Sequence, residues 1–278
     1  MIVVTGATGN IGGTLVPALA EAGEKVVAVS RGDREVRLPE GVEHRRADLA
    51  NIADLPPAFA GADALFLLLS GELGVTGPAP AEMVRAAADA GVRRLVFLSS
   101  LAVTTRPGRE RLVEFEAAVR DSGLEWTILR PGGFFSNAFA WAASVRAERT
   151  VFAPFGDVAL PHLDPADIAE VAAAALRSAD HAGQTYTLTG PERLTPRDQA
   201  RVLAAALAEP VRFVELTRDQ AFAAMTEFMP DPVAEDTLSI LGEPVPAETA
   251  ISPDVERVLG RPARGFAEWA DRNIAAFR

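Results

Sequence analysis

The sequence predicts an α/β fold, a doubly wound parallel sheet with a smaller C-terminal lobe interleaved with it. Short apolar runs alternate with longer amphipathic stretches over the first two thirds of the 278 residues, as in successive strand–helix–strand units. Some runs, such as residues 65–69, show no polar alternation, which is typical of a central strand covered on both faces. A glycine-rich turn directly follows the first run. Together these observations predict parallel strands joined by helices.

Each predicted element is a stretch with the period of a strand or of a helix. The predicted strands cover residues 2–5, 25–30, 42–46, 64–69, 95–99, 126–129, 184–188 and 211–216. The predicted helices cover residues 15–22, 82–90, 110–122, 165–178, 196–208 and 265–277. The alternation loosens after Arg130, where an aromatic stretch runs to Trp141. We therefore predict a core of residues 1–131 and 165–190, and a smaller lobe of residues 132–164 and 191–278.

The composition excludes several classes of function. The chain is 49% hydrophobic and 23% charged, the balance of a globular protein with a sizeable core. Its net charge of −11 disfavours nucleic acid and anionic membranes as partners. The absence of cysteine excludes disulfides and thiolate chemistry, and three scattered histidines argue against a metal site. Because the first strand begins at Ile2, we expect no leader peptide and a cytoplasmic location. We also expect a monomer.

The most specific motif is Gly6-Ala-Thr-Gly-Asn-Ile-Gly12, between the first strand and the first helix. Glycines in this position allow a tight turn and a close approach of the backbone to a pyrophosphate. The helix N-terminus adds unpaired N–H groups and a positive dipole. The motif predicts a Rossmann-type dinucleotide site, although a glycine-rich turn without a ligand is the alternative. The predicted contacts are Gly6, Thr8, Gly9, Asn10, Ile11 and Gly12.

Residues at the end of the second strand indicate which dinucleotide binds. An acidic residue there would bind the ribose hydroxyls of NAD, whereas arginine accommodates the 2′-phosphate of NADP. The chain has Ser30 and Arg31 at the strand end and Arg34 close by, while the acidic Asp33 lies beyond the turn. These residues favour NADP(H), because a hydroxyl and a planar guanidinium suit a phosphate. The alternative is that both arginines are solvated loop residues.

With these motifs, the chain resembles the atypical short-chain dehydrogenase/reductases of the NmrA-like branch, including actinomycete ketoreductases that act on aromatic polyketides. The resemblance rests on residues 5–12, 96–100, 122–131, 167–169 and 186–190, together with Asp48-Leu49 and Asn137. It implies that Asp48 and Leu49 flank the adenine, and that Leu69 and Ser70 lie beside the ribose and pyrophosphate. It further implies cofactor contacts from Ser99, Pro131, Gly132, Gly133 and Phe134, the last four bordering the nicotinamide. A turn or helix-capping role is the alternative for Asp48.

The catalytic pair of the extended relatives is missing from this chain. Those proteins resemble one another in a Ser…Tyr-x-x-x-Lys constellation, in which Tyr donates a proton and Lys lowers its pKa. The only tyrosine is Tyr186 and the only lysine is Lys25. Counting back from the sixth strand places the tyrosine position at Gly108 and the lysine position at Leu112. The serine position falls at Ser100 or Leu101, so Ser99 and Ser100 are the candidate catalytic residues.

Two functions of different classes follow from this departure. The first is an NADPH-dependent reductase that transfers hydride to a ketone or quinone carbonyl of a polycyclic aromatic substrate, with a phenol or enol of the substrate supplying the proton. The second is a non-catalytic NADP(H)-sensing regulator of the NmrA type. We favour the reductase because apolar aromatics follow the sixth strand. Core packing is the alternative for those aromatics, and a structural role is the alternative for His162. The predicted pocket comprises Gly108, Leu112, Phe135, Asn137, Trp141 and His162.

Overall fold

The computed structural model describes residues 1–32, 38–69, 73 and 76–278. Most strands are short and apolar, as the sequence pattern predicts. In chain order they are β1 (Ile2–Thr5), β2 (Val26–Ser30), β3 (Glu43–Arg46), β4 (Ala64–Leu68), β5 (Arg94–Leu98), β6 (Glu125–Pro131), β7 (Thr150–Ala153), β8 (Gln184–Leu188) and β9 (Arg212–Glu215).

The α-helices alternate with these strands through the first two thirds of the chain. In order they are α1 (Gly12–Glu21), α2 (Leu55–Phe59), α3 (Pro80–Asp89), α4 (Ala102–Thr105), α5 (Glu110–Arg120), α6 (Ala142–Glu148), α7 (Pro165–Arg177), α8 (Pro196–Leu207), α9 (Arg218–Thr226), α10 (Asp231–Gly242), α11 (Pro246–Thr249), α12 (Asp254–Leu259) and α13 (Phe266–Asn273). The 3-10 turns are Ile52–Asp54, Phe135–Trp141, Ala179–His181 and Ile274–Phe277.

Seven strands form one parallel sheet, which confirms the predicted fold class. Their order is β3-β2-β1-β4-β5-β6-β8, and every neighbouring pair is parallel. The strand order reverses at β1, which pairs with β2 on one side and β4 on the other. In open α/β sheets, ligands bind outside the carboxyl ends of the strands at such a reversal.

The chain divides into two compact units. The first comprises residues 1–131, 165–188 and 254–261, and the second comprises residues 132–164, 189–253 and 262–278. The sequence-based division placed residues 254–261 in the smaller lobe. In the structure, Asp254 Oδ2 accepts a hydrogen bond from the Thr187 N–H at 2.8 Å, and Arg261 pairs with Asp167 at 2.7 Å. These contacts join α12 to β8 and α7 of the first unit.

Apolar side chains from both sheet faces hold the first unit together. Val3, for example, is fully buried and lies between Val27 and Leu65 on the neighbouring strands. On α5, Phe115 stacks on Phe97 of β5 with ring centroids 5.7 Å apart. Full burial of a large apolar side chain stabilises the folded protein by about 1.5–3 kcal/mol. The strands of this sheet are therefore covered by a well-packed apolar core.

The second unit has a separate core around its aromatic residues. Phe135, Phe266 and Phe277 are buried there with Trp269, and Phe135 meets Phe266 edge to face at 5.1 Å. A two-stranded parallel sheet of β7 and β9 belongs to this unit. The sequence predicted β9 and missed β7.

No helix in the part of the chain that the structure describes is long and apolar enough to cross a membrane. Over the same residues, no cluster of histidine, aspartate and glutamate is arranged to hold a metal ion.

Candidate active site

The glycine motif forms a tight turn between β1 and α1. Gly6 has a left-handed backbone with φ of 62°, which only glycine adopts without strain. A Cβ on Gly12 would lie 2.3 Å from the Gly6 carbonyl oxygen and 2.6 Å from the Ala7 Cα, so no side chain fits there. The Gly9 N–H closes the turn onto the Gly6 carbonyl at 3.0 Å. The close packing of the turn thus leaves its outer backbone accessible to a ligand.

The N-terminus of α1 suits an anion. Within α1, all of which the structure describes, no acidic residue lies in the first turn and no side chain caps the N-terminus at Ile11. Thr8, Gly9 and Asn10 before it are exposed. The helix dipole and unpaired N–H groups at such an end favour a phosphate. Ile11 itself is buried and packs inward.

A cavity of ≈ 250 Å³ lies beside this turn, within the first unit. It is bounded by the glycine turn and by the segments that follow β2, β3 and β4. The predicted residues that line it are Gly6, Thr8, Gly9, Arg31, Asp48 and Leu49. The fold brings these side chains together because parallel strands end at one edge of the sheet. A turn that excludes side chains, an uncapped helix end and this cavity fit a dinucleotide.

Both predicted roles of Asp48 are compatible with its position. Its Oδ1 accepts a hydrogen bond from the Ala50 N–H at 2.9 Å, which is a turn-forming contact. Its own N–H donates to Asp54 Oδ2 at 3.0 Å, so the turn is held at both sides. The residue is also exposed and lines the cavity. Leu69, directly after β4, is half-buried and packs against the core. Arg34 and Ser70 lie outside the described residues.

Two polar residues that the sequence analysis did not assign lie near Arg31. Ser30 Oγ is 2.9 Å from His44 Nε2 on β3, a hydrogen bond between neighbouring strands. The Cδ of Arg46, at the end of β3, would lie 3.2 Å from a Cβ on Gly32. Arg46 therefore sits beside the backbone that follows Arg31. Its position was not evident because strand pairing, rather than sequence distance, brings it there.

The two candidate catalytic serines differ in what their hydroxyl groups do. Ser99 is buried, and its Oγ donates to Glu116 Oε1 at 2.7 Å. That hydrogen is therefore committed to a carboxylate. Ser100 is half-buried, and its Oγ accepts from the Ala102 N–H at 3.2 Å. Accepting a bond leaves the Ser100 hydroxyl hydrogen available to a substrate. The geometry thus favours Ser100 over Ser99 as a donor.

Glu116 is the centre of a buried polar network. Arg130 binds it with two hydrogen bonds of 2.8 and 2.5 Å, and Arg120 adds one of 2.8 Å. Burial raises the pKa of the Glu116 carboxyl, but the bonds from Arg130, Ser99 and Arg120 outweigh it and hold that pKa below its usual range. In return, Glu116 raises the pKa of Arg130. The network ties α5 to the ends of β5 and β6.

The structure also shows what occupies the positions of the missing catalytic pair. Gly108 has a left-handed backbone with φ of 72° and lies in the turn before α5. A Cβ on Gly108 would meet nothing within 4 Å. Leu112 is half-buried against the core. Tyr186 is buried in β8, and its hydroxyl is 2.8 Å from His181 Nδ1.

Several of the predicted cofactor contacts and pocket residues belong to the second unit. Gly133 and Asn137 are exposed, and Gly132, Phe134 and Trp141 are half-buried. The packing favours the core alternative for Phe135, because its ring is buried against Phe266. His162 is enclosed by protein, although part of its surface is still accessible, and burial lowers its pKa to about 4. Its Nδ1 is 3.3 Å from the Nε2 of Gln199, a residue that the sequence analysis did not single out.

Known proteins resemble this chain over its whole length. The sequence pattern of a family described as NAD(P)H-binding matches residues 6–179. A (4-alkanoyl-5-oxo-2,5-dihydrofuran-3-yl)methyl phosphate reductase from Streptomyces griseus is 40% identical, over 100% of this chain and 99% of that protein. An NAD(P)H azoreductase from Xenophilus azovorans is 35% identical, over 100% of this chain and 99% of its own length. The structure of an NADPH-dependent quinone oxidoreductase from Escherichia coli, complexed with NADPH, superposes with a TM-score of 0.80. It is 28% identical and covers 98% of this chain and 99% of that one.

Proposed function

This chain belongs to the NAD(P)H-binding family as an NmrA-like atypical short-chain reductase, and we propose that it reduces an electron-poor double bond conjugated with a carbonyl or similar group. The predicted family, the NADP(H) cofactor and the oxidoreductase class are confirmed. The acceptor is the new element. Quinones and acyl-substituted dihydrofuranones, which the names of two relatives contain, are of this kind, and the azo bond in the name of a third is likewise an electron-poor double bond.

The observation that carries the proposal is the weakness of the proton donors in the described structure. Gly108 and Leu112 provide neither a phenol nor an ammonium group, and Ser99 donates to Glu116 at 2.7 Å. Hydride addition to an isolated ketone concentrates negative charge on one oxygen, which requires a strong donor. Addition to a conjugated acceptor spreads that charge and generates a weaker base. A hydroxyl such as that of Ser100 suffices for such an acceptor.

The cofactor is held by the residues that line the glycine turn and the adjoining cavity. Gly6, Gly9 and Gly12 would let the pyrophosphate approach the N-terminus of α1. Arg31, with Arg46 beside it, would bind the 2′-phosphate. When bound, NADPH supplies the hydride. Gly132 to Phe134 are proposed to border the nicotinamide, and Glu116 to hold Arg130 and the strand ends in place for it.

The polycyclic aromatic ketone predicted from the sequence is a second acceptor that does not require a strong donor from the protein. A phenol beside the carbonyl forms an internal hydrogen bond and carries an acidic proton, so the substrate compensates for the missing tyrosine. We expect Ser100→Ala to lower the rate with such a substrate by less than about tenfold, the loss of one neutral hydrogen bond. We expect methylation of the phenol to abolish most of the reaction. If Ser100→Ala were inactive and the methyl ether were reduced at the normal rate, the phenol of the substrate would not be the proton source.

The test is NADPH oxidation by the purified protein with a panel of acceptors. The panel contains benzoquinones, 2-acyl butenolides, an azo dye, an anthracyclic phenolic ketone with its methyl ether, and an isolated aliphatic ketone. We expect kcat/KM to be at least about 100-fold higher for the conjugated acceptors, a difference of about 2.7 kcal/mol in activation free energy. Gly12→Ala, which cannot form the glycine turn, is the control for contaminating reductases.

Two results would contradict this function. Equal rates with the isolated ketone would show that a strong donor is present, and the argument from Gly108 and Leu112 would be wrong. Tight NADPH binding without turnover on any acceptor would instead support the sensor alternative.

A further inference from the structure

His162 occupies space that two glycines leave open. A Cβ on Gly133 would lie 2.2 Å from His162 Cδ2 and 2.6 Å from Nε2, so the imidazole fills the place of a side chain there. A Cβ on Gly190 would lie 1.9 Å from the His162 carbonyl oxygen. Both glycines are therefore needed for close approach. The ring edge that carries Nε2 lies against the exposed backbone of Gly133.

Backbone hydrogen bonds hold His162 in this position. The Leu163 N–H donates to the Gly133 carbonyl at 2.9 Å, and the Phe135 N–H donates to the Leu163 carbonyl at 2.8 Å. On the other side, the Gly190 N–H donates to the Pro161 carbonyl at 3.0 Å. The segment that carries His162 is thus bonded on both sides, which fixes the imidazole relative to Gly133.

The contact with Gln199 favours one tautomer of the His162 ring. It is buried on α8, and its Nε2 is 3.3 Å from His162 Nδ1. An amide nitrogen can only donate, so in this orientation Nδ1 accepts and the hydrogen of the neutral ring is on Nε2. The pKa of about 4, lowered by burial, agrees with a neutral ring at physiological pH. His162 therefore presents an N–H donor that does not ionise near pH 7.

We propose that the Nε2–H of His162 donates a hydrogen bond to the atom of the substrate that gains negative charge. This rests on the proposed function, in which Gly132 to Phe134 border the nicotinamide. Bound NADPH would supply the hydride and be left as NADP⁺, and a C–H bond forms at the far carbon of the conjugated double bond. The electron pair of that double bond forms a new double bond between the adjacent carbon and the carbonyl carbon, and the carbonyl π pair moves to its oxygen, which gives an enolate. His162 stabilises this oxygen and keeps its own proton, while water supplies the second proton.

The test compares two amide variants that differ in reach. In His162→Gln the amide nitrogen can take the place of Nε2, whereas in His162→Asn it reaches only the place of Nδ1. With the best acceptor of the panel, we expect kcat to fall about 100-fold in the Asn variant and less than fivefold in the Gln variant. We expect KM for the acceptor and the Kd for NADPH to stay within about threefold in both. Equal kcat losses in the two variants, or an unchanged kcat in the Asn variant, would overturn the inference.

A measurement on the unmodified protein keeps the test valid if a variant fails to fold. The chain has three histidines, so ¹⁵N-histidine labelling gives few resonances. We expect one ring to show the Nε2–H tautomer throughout pH 5.5–8, and its Nε2–H resonance to shift when NADP⁺ and a hydroquinone bind together. Titration of all three rings within this pH range, or no shift of the Nε2–H resonance in the ternary complex, would refute the role of His162. Absence of wild-type turnover on every acceptor would instead refute the proposed function, so the two failures are distinguishable.

Discussion

Removal of the Glu116 carboxylate should destabilise the first unit strongly. The side chain of Glu116 is only 2% exposed, and that of Arg130 is 19% exposed. Breaking a buried ion pair from one side costs about 3–5 kcal/mol, because the remaining charge is left without compensation. Since Arg130 keeps some contact with water, we expect the lower end, about 3 kcal/mol, for Glu116→Met. Arg120 is more exposed and screened, so its bond to Glu116 adds little.

A double-mutant cycle separates the pair from the packing of each side chain. Arg130→Met should cost a similar amount, because it leaves the Glu116 carboxylate with Ser99 and Arg120 alone. The double variant should be destabilised by much less than the sum, with an interaction energy of about 2–3 kcal/mol. The measurement is urea unfolding followed by circular dichroism and by tryptophan fluorescence. Coincidence of the two curves tests for a two-state transition.

Two outcomes would refute this reasoning about Glu116. One is a loss below about 1 kcal/mol in both single variants, which would mean that water compensates the remaining charge. The other is additivity of the two losses within about 0.5 kcal/mol, which would mean that the pair is not coupled. The pH dependence gives a separate check. Because the pKa of Glu116 is lowered by folding, its contribution is present above the unfolded pKa and is lost as pH falls through the folded pKa.

Three further predictions concern the cofactor site and the buried histidine. Gly12→Ala should abolish NADPH binding, because its Cβ would lie 2.3 Å from a carbonyl oxygen. Gly13→Ala is the control, because a Cβ there would have nothing within 4 Å. It should bind NADPH normally and gain up to about 1 kcal/mol of stability. Arg31→Ala should weaken NADPH binding by on the order of 1.5–3 kcal/mol and leave NADH binding unchanged. Arg46→Ala should also lower the affinity for NADPH relative to that for NADH, and fluorescence titrations measure both affinities. As the pH falls from 6.5 to 4, His162 should lower the free energy of unfolding by up to about 3 kcal/mol, because its ring binds a proton more readily in the unfolded chain than in the folded one. His162→Gln should flatten the plot of unfolding free energy against pH in this range.

Each of these has a contradicting result. Full NADPH affinity in the Gly12→Ala variant would mean that the turn is not the pyrophosphate site. Equal affinities of the wild-type protein for NADPH and NADH would remove the 2′-phosphate role of Arg31. An unfolding curve of His162→Gln that falls with acid as steeply as that of the wild type would show that the ring titrates normally in the folded protein.

The sequence by itself determined the fold class, the glycine turn and the family. These features are local, since the period of apolar residues reports which face is buried and the spacing of glycines reports a turn. The span of β1 and of β8, a helix after the glycine motif and the absence of a Tyr–Lys pair could all be deduced without coordinates. The NADP(H) preference also followed from short-range order, because the residue after β2 lies at a known place relative to the glycine turn.

Only the tertiary structure decided which polar groups meet. Ser99 and Glu116 are 17 residues apart and His162 and Gln199 are 37 apart, and nothing in their local patterns shows that they meet. Folding removes these groups from water, so each must find a partner, and that partner is chosen by the crossing of distant elements. For the same reason Phe135 belongs to a core rather than to a pocket. Periodicity shows that a side chain is buried, but the packing of whole elements determines what it is buried against.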